Sequence, residues 1–114
     1  AIINASNNKI KNALFFKGDI KDVLIDNKEI KIIEKPDISI IDPPRAGMHP
    51  KALKNILKLN QKKIIYISCN PPTQARDLRK IVDNGYKIKN VIPVDMFPHT
   101  PHIESVVTLI NECC

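Results

Sequence analysis

Tryptophan is absent from this chain, aromatic residues supply only 4% of it, and glycine occurs three times in 114 residues. Each scarcity removes something. Without tryptophan and with few other rings, the chain has no broad platform on which single-stranded bases could stack. Gly18, Gly47 and Gly85 lie far apart, and none has the spacing of a loop that cradles a phosphate or an adenosine. A nucleotide-type cofactor is ordinarily held by such a loop, so its cradle is expected upstream of Ala1. Cysteine occurs only at 69, 113 and 114. That odd count, with no C-x-x-C pair, argues against a disulfide framework and a zinc site. His99 and His102 have no third ligand at a suitable spacing, so no metal is expected. No apolar run approaches the roughly 20 residues of a membrane span. The opening Ala1-Ile2-Ile3-Asn4 has neither the basic flank nor the apolar core of a signal peptide. The cytoplasm is the expected compartment.

What is present is a modest isoleucine-rich core and an excess of positive charge. Hydrophobic residues make up 43% of the chain, enough for one small domain rather than disorder. Net charge is +6 and the pI is about 9.3. That balance suits a polyanionic partner, RNA or DNA first among them. Lysines that merely solubilise helix faces would give the same figure.

Strand-like and helix-like stretches alternate, which is the pattern of a parallel α/β sheet. Residues 1–8 read as the end of a helix closed by Asn7-Asn8, since asparagine tolerates the left-handed conformation. Residues 14–17 read as a strand ended by Gly18-Asp19. Residues 20–25 suit a helical turn, Asp26-Asn27-Lys28 a turn, and Ile30-Lys31-Ile32 either a short edge strand or a loop. Residues 37–41 predict a strand buried on both faces, stopped by two prolines. A helix over 50–59 follows, with Pro50 in its first turn and Leu53, Ile56 and Leu57 inward. A strand over 63–68 and a helix over 72–83 come next. Ala75, Leu78, Ile81 and Val82 form that helix's inward face, and Asn84-Gly85 its stop. Strands over 86–95 and 105–110 flank a loop rich in proline and histidine. Cys113-Cys114 reads as a frayed tail.

In open parallel sheets ligands bind beyond the carboxyl ends of strands. Gly18-Asp19, Asp42-Pro43-Pro44-Arg45 and Ser68-Cys69-Asn70-Pro71 all fall at such ends and would converge on one crevice. Cys69, between a strand and a helix start, is a poor place for an inert core thiol. The following helix directs its N-terminal partial charge toward the sulfur, which favours the nucleophilic thiolate. A buried structural cysteine is the plainer reading. Asp42, at the end of an isoleucine-rich strand, suits either an amine or hydroxyl of a cofactor or a turn cap. Asp19 carries the same two readings, and Arg45 suits a phosphate or solvent. Glu104, before the last strand, suits a general base if partly buried; alone it reads as an ordinary strand-start carboxylate.

Together, Asp42-Pro43-Pro44-Arg45, Ser68-Cys69-Asn70-Pro71 and His102-Ile103-Glu104-Ser105-Val106-Val107 resemble the C-terminal part of the RNA (uracil-5-)-methyltransferases, over nearly the whole chain. Those enzymes make 5-methyluridine from S-adenosylmethionine. Ala75-Arg76-Asp77-Leu78 resembles the ribosomal RNA branch more than the transfer RNA branch. The resemblance implies a truncated Rossmann-like methyltransferase domain of the α/β class, with a mostly parallel sheet of about five strands and flanking helices. It implies that residues 1–114 are the C-terminal portion, without the N-terminal cofactor loop, the RNA-binding domain or, in some members, an iron–sulfur cluster. By the same resemblance Cys69 is the nucleophile that adds to C6 of uracil, Glu104 the base that removes the C5 proton, and Asp42 and Asp19 cofactor-site carboxylates. The S-adenosylmethionine site would be incomplete in this chain, and the target base would have to leave its stack.

Two other readings stand beside this one: a non-catalytic basic RNA-binding module, and an amino-group methyltransferase built on the Asp-Pro-Pro run. Truncation would also leave strand edges bare. The strands at 14–17 and 37–41 would then pair directly, or the chain would self-associate.

Overall fold

The computed structural model describes residues 1–26 and 35–112, with nothing stated of the side chains of Ile25 and Asp26. In chain order the elements are α1 (Ile2–Asn7), α2 (Ile20–Asp26), β1 (Ile38–Ile41), α3 (Pro50–Lys58), β2 (Lys63–Ser68), α4 (Pro71–Asp83), β3 (Tyr86–Val94) and β4 (Glu104–Asn111). The readings of Asn27-Lys28, Ile30–Ile32 and Cys113-Cys114 lie outside the described residues.

Among the described residues the strands form one four-stranded sheet in the order β1-β2-β4-β3. β1 and β2 are parallel, with Ile41 opposite Tyr66. β4 inserts antiparallel between β2 and β3, with Ser68 opposite Ser105 and Val94 opposite Glu104. The α/β class holds, but the sheet is mixed rather than mostly parallel. The long loop after β3 returns the chain as a hairpin, and hairpins pair antiparallel. Residues 14–17 are not a strand, because among the described residues no neighbouring strand completes a ladder with them; Leu14 remains 72% exposed. The expected direct pairing of residues 14–17 with β1 is therefore absent.

β1 also departs from the sequence reading. Ile38 and Ile40 are exposed and only Ile41 of its isoleucines is buried. An isoleucine run marks a strand that is buried on both faces only when elements cover both faces, and here β1 is a sheet edge. At the end of α1 it is Lys9, not an asparagine, that takes the left-handed conformation, at φ 57°. Asn8 instead turns its amide Nδ2 back to donate to the Asn4 carbonyl at 2.8 Å.

The core lies under one face of the sheet. Burial alternates along β2 and β4, so Ile64, Tyr66, Val107 and Leu109 point to one side. There they meet Ala52, Leu53 and Ile56 of α3 and Leu78 and Ile81 of α4. α3 starts at His49, whose Nδ1 accepts from the Lys51 N–H, with Pro50 at the first helical position. The inner face of α4 is Gln74, Asp77, Leu78 and Ile81, while Ala75 and Val82 are exposed. Apolar periodicity alone places that face about one residue off, since two of its buried positions are polar.

Among the described residues, one buried side chain has unmatched polar atoms. Gln61, before β2, is 0% exposed, and neither its Nε2 nor its Oε1 has a hydrogen-bond partner. Burying such an amide without partners costs about 1–3 kcal/mol. Gln61→Met keeps the length of the side chain and removes the polar atoms. It is expected to raise stability by about 1–2 kcal/mol, read as a higher urea midpoint. A lower midpoint contradicts this.

Candidate active site

β2 ends at Ser68, and the chain must turn before α4. The Ser68 hydroxyl accepts from the Asn70 N–H at 3.0 Å and donates to the Asn70 carbonyl at 3.2 Å. Cys69 is the residue held inside that turn, a free and half-buried thiol. Pro71 and Pro72 open α4, with preset φ and no N–H to satisfy. Asn70 donates through Nδ2 to the Arg45 carbonyl at 2.8 Å, and the Thr73 hydroxyl donates to the same oxygen at 3.0 Å. The loop after β1 and the turn after β2 are thus pinned together at the carboxyl ends of two parallel strands.

Glu104 is half-buried and begins β4. The last antiparallel pair between β2 and β4 is Ser68 with Ser105. One step further along both strands brings Cys69 level with Glu104. Opposed residues of antiparallel strands have Cβ atoms roughly 5 Å apart on the same face where the ladder continues. The ladder ends one pair short of these two sequence-predicted residues, which follow its last pair on either strand.

Asp42 and Asp19 are brought together elsewhere. Both line a cleft of about 770 Å³, with Ile20, Ile40 and Met48 among its apolar walls and Arg76 at its rim. Asp42 is exposed, just past the end of β1. Asp19 does not follow a strand, as expected from sequence, but precedes α2. Its Oδ1 accepts from the Lys21 N–H at 3.1 Å and its Oδ2 meets Lys21 Nζ at 3.0 Å. Those contacts hold its carboxyl below the usual carboxylate range, the Lys21 backbone bond first. Cys69 and Glu104 do not line this cleft; the shared Arg45 carbonyl is the link between the two halves of the site. Arg45 thus serves the site through its backbone. His99 and His102 sit in an exposed loop, His99 in the left-handed region at φ 67°.

Sequence reasoning missed the residues that hold this arrangement. Asp77, 1% exposed, accepts from the Met48 N–H at 2.6 Å and from the Tyr66 hydroxyl at 2.8 Å. Its other oxygen accepts from Arg76 Nε at 3.0 Å, while Arg76 Nη2 reaches the Ala46 carbonyl at 2.9 Å. Gly47 lies between, at φ +79°, where a Cβ would come within 2.6 Å of both Arg76 Nη2 and Asp77 Oδ2. The loop from Asp42 to His49 is fastened to α4 by these groups. The signal was present: Gln74 stands one helical turn before Leu78 and Asp77 one turn before Ile81, at positions that share their buried face.

Burial, and then the bond to Asp77, pushes the Tyr66 hydroxyl well above its ordinary value of 10.0. The unfolded chain loses this proton near pH 10 while the folded chain keeps it. Stability is therefore full below pH 10 and falls as pH rises above it, by about 1.4 kcal/mol per pH unit from this group. The urea midpoint of the unsubstituted chain is expected to drop more steeply between pH 10 and pH 11 than that of Tyr66→Phe. Parallel curves contradict it.

A mixed sheet backed by helices, with a thiol past one strand end and a carboxylate-bearing cleft past the next, is consistent with the fold of S-adenosylmethionine-dependent methyltransferases. The comparisons with known proteins agree. The family described as tRNA (Uracil-5-)-methyltransferase matches residues 4–112, and the chain belongs to that family. An uncharacterized RNA methyltransferase of Bacteroides thetaiotaomicron is 55% identical over 109 residues, covering 96% of this chain and 24% of its own length. One from Caldanaerobacter subterraneus is 53% identical over 103 residues, or 90% of this chain and 22% of that protein. The crystal structure of Pyrococcus abyssi tRNA (uracil-54, C5)-methyltransferase in complex with S-adenosyl-L-homocysteine superposes with a TM-score of 0.76 at 38% identity. It covers 96% of this chain and 24% of that one. A precorrin-6y C5,15-methyltransferase of Geobacter metallireducens shares the fold alone, at TM-score 0.64 and 12% identity. The chain thus spans about a quarter of the length of these RNA methyltransferase relatives. Among the described residues, no helix is long and apolar enough to cross a membrane.

Proposed function

We propose that this chain is the C-terminal part of the catalytic domain of a cytoplasmic RNA (uracil-5-)-methyltransferase that works through a covalent adduct at Cys69. The observation that supports this reading is the register of β2 and β4, whose last pair, Ser68 with Ser105, leaves Cys69 and Glu104 as the next residue on each strand. The substrate is a uridine in RNA, with 23S ribosomal RNA favoured by the Ala75-Arg76-Asp77-Leu78 run.

The cleft at Asp19 and Asp42 fits part of a nucleoside cofactor. It has apolar walls for a purine and carboxylates for hydroxyl or amino donors. S-adenosylmethionine, when bound, supplies an electrophilic methyl group. The chain's own residues do the rest. C5 of uracil is too weakly nucleophilic by itself. The Cys69 thiolate forms a bond to C6, which moves the C5–C6 electron pair into an enolate that takes the methyl at C5. Glu104 then removes the C5 proton. The electron pair restores the C5–C6 double bond, and the C6–sulfur bond breaks to return the thiolate.

The proposal makes two demands on experiment. Joined to the upstream part of its own protein, the chain should transfer labelled methyl from S-adenosylmethionine to uridine C5, read by nucleoside mass spectrometry. Methylation at an amino group, or none, sinks the reading; methylation of transfer RNA in place of ribosomal RNA corrects only the substrate. The 114-residue chain alone has half the crevice, so isothermal titration should show no binding tighter than about 100 μM, and micromolar binding contradicts it. Self-association through the edge of β1, which no strand covers among the described residues, is part of the same proposal, and a clean monomer in sedimentation removes it.

A further inference from the structure

Gln74 is 2% exposed in the first turn of α4, five residues after Cys69. Its backbone N–H closes that turn on the Asn70 carbonyl at 3.1 Å. Its side-chain Nε2 donates twice, to the Tyr66 carbonyl of β2 at 3.1 Å and to the Ser105 carbonyl of β4 at 3.0 Å. Tyr66 lies three residues before Cys69, and Ser105 is the residue after Glu104. A single amide thus ties together the two strands that carry the nucleophile and the base, and the helix that follows the nucleophile.

We infer that Gln74 is a positioning residue that fixes the register of Cys69 against Glu104, so that adduct formation and proton removal share one alignment. This rests on the roles proposed above for those two residues. The chemistry requires such a clamp. Sulfur attacks C6 from one face of the ring, and the base must reach the C5 hydrogen of the same adduct without the sulfur moving. The two strands stop pairing at Ser68 and Ser105, so the ladder does not itself hold the next residue on each. A misplacement of about 1 Å at a reacting centre costs roughly 100-fold in rate. Glutamine fits where leucine would not, because its uncharged amide nitrogen offers two donors on one atom, one to each carbonyl. Since Nε2 touches neither substrate nor reacting atoms, its effect passes through the backbone of both strands.

The test uses the full-length protein that carries this segment. Gln74→Met preserves volume and removes both donors. It is expected to lower kcat on uridine RNA by roughly 100-fold while KM for RNA and for S-adenosylmethionine moves less than about two-fold. Covalent protein–RNA complex should build up on ordinary uridine, because attack survives better than elimination. Gln74→Glu provides the second readout. Ionised, its carboxylate faces two carbonyls and offers no donor; protonated, it gives one bond back. Its kcat relative to the unsubstituted enzyme at the same pH should rise at least about five-fold from pH 8.5 to pH 6 as the buried carboxyl takes up its proton. An unchanged kcat in Gln74→Met, a flat ratio in Gln74→Glu, or a loss confined to KM overturns the inference. If Cys69→Ala keeps its turnover, the failure lies instead with the proposed roles of Cys69 and Glu104.

Discussion

Asp77→Ala is expected to cost about 3–5 kcal/mol of stability, a large fraction of the roughly 5–15 kcal/mol available to a domain of this size. The carboxylate is buried and accepts from three donors on three separate pieces of chain. Removing it leaves the Met48 N–H and the Tyr66 hydroxyl without an acceptor, and each such group costs about 1–3 kcal/mol when sealed from water. Arg76 is half-exposed, so solvent recovers most of its share. Asp77→Asn retains an acceptor oxygen and is expected to cost less than half as much. The ordering Asp77→Ala worse than Asp77→Asn, measured by urea midpoints, separates loss of the acceptor from loss of the charge. Equal effects contradict this account.

The consequence reaches the cleft. Met48 lines it, and the loop from Asp42 to His49 is held to α4 through Met48 and Ala46, with Gly47 packed closely against the same groups. Even where Asp77→Asn folds, the wall of the cleft loosens. Weakened cofactor binding is expected with the Cys69 turn intact, since that turn is tied by Ser68, Asn70 and Thr73 instead.

Cys69→Ala is expected to abolish methyl transfer in the full-length protein, a loss of roughly 10⁴-fold or more, because the proposed adduct at Cys69 is what activates C5. Glu104→Gln should behave differently. Addition and methylation need no base at that position, so loss of proton removal slows turnover by roughly 10²–10⁴-fold and leaves the RNA attached to sulfur. The two variants thus fail at opposite ends of one reaction: the first shows no attached RNA, the second accumulates it. Fold stability should change little in either, since both side chains are only partly buried. A Glu104→Gln protein with normal turnover removes Glu104 from the reaction.

Much of this arrangement was legible in the residues, and the rest was hidden for identifiable reasons. Prolines at 43–44, 50 and 71–72 punctuate β1, α3 and α4, and the observed elements begin or stop beside them. β2 and β4 read as strands because Ile64, Ile65 and Ile67 and Val106, Val107, Leu109 and Ile110 dominate them. Whether a strand has neighbours is a tertiary fact. Leu14-Phe15-Phe16 has the composition of a strand and forms none, and the isoleucines of β1 suggest two covered faces where the fold covers one. The antiparallel insertion of β4 was equally invisible, since strand order is not written in hydropathy. It is the insertion that makes Ser68 and Ser105 the last pair of β2 and β4, with Cys69 and Glu104 next on each strand, so motif resemblance could pair them only by family and not by geometry. Gln74 and Asp77 escaped because polar residues on a helix are read as solvent-facing unless their partners are known.

The most direct measurement is made with RNA containing 5-fluorouridine at the target position. Fluorine at C5 cannot leave as a proton, so the sulfur bond to C6 persists once the methyl has transferred. Incubated with S-adenosylmethionine, the full-length protein should yield a denaturation-resistant complex whose RNA-bearing peptide contains Cys69, and Cys69→Ala should yield none. A complex that survives in Cys69→Ala, or one joined through any other residue, contradicts the account.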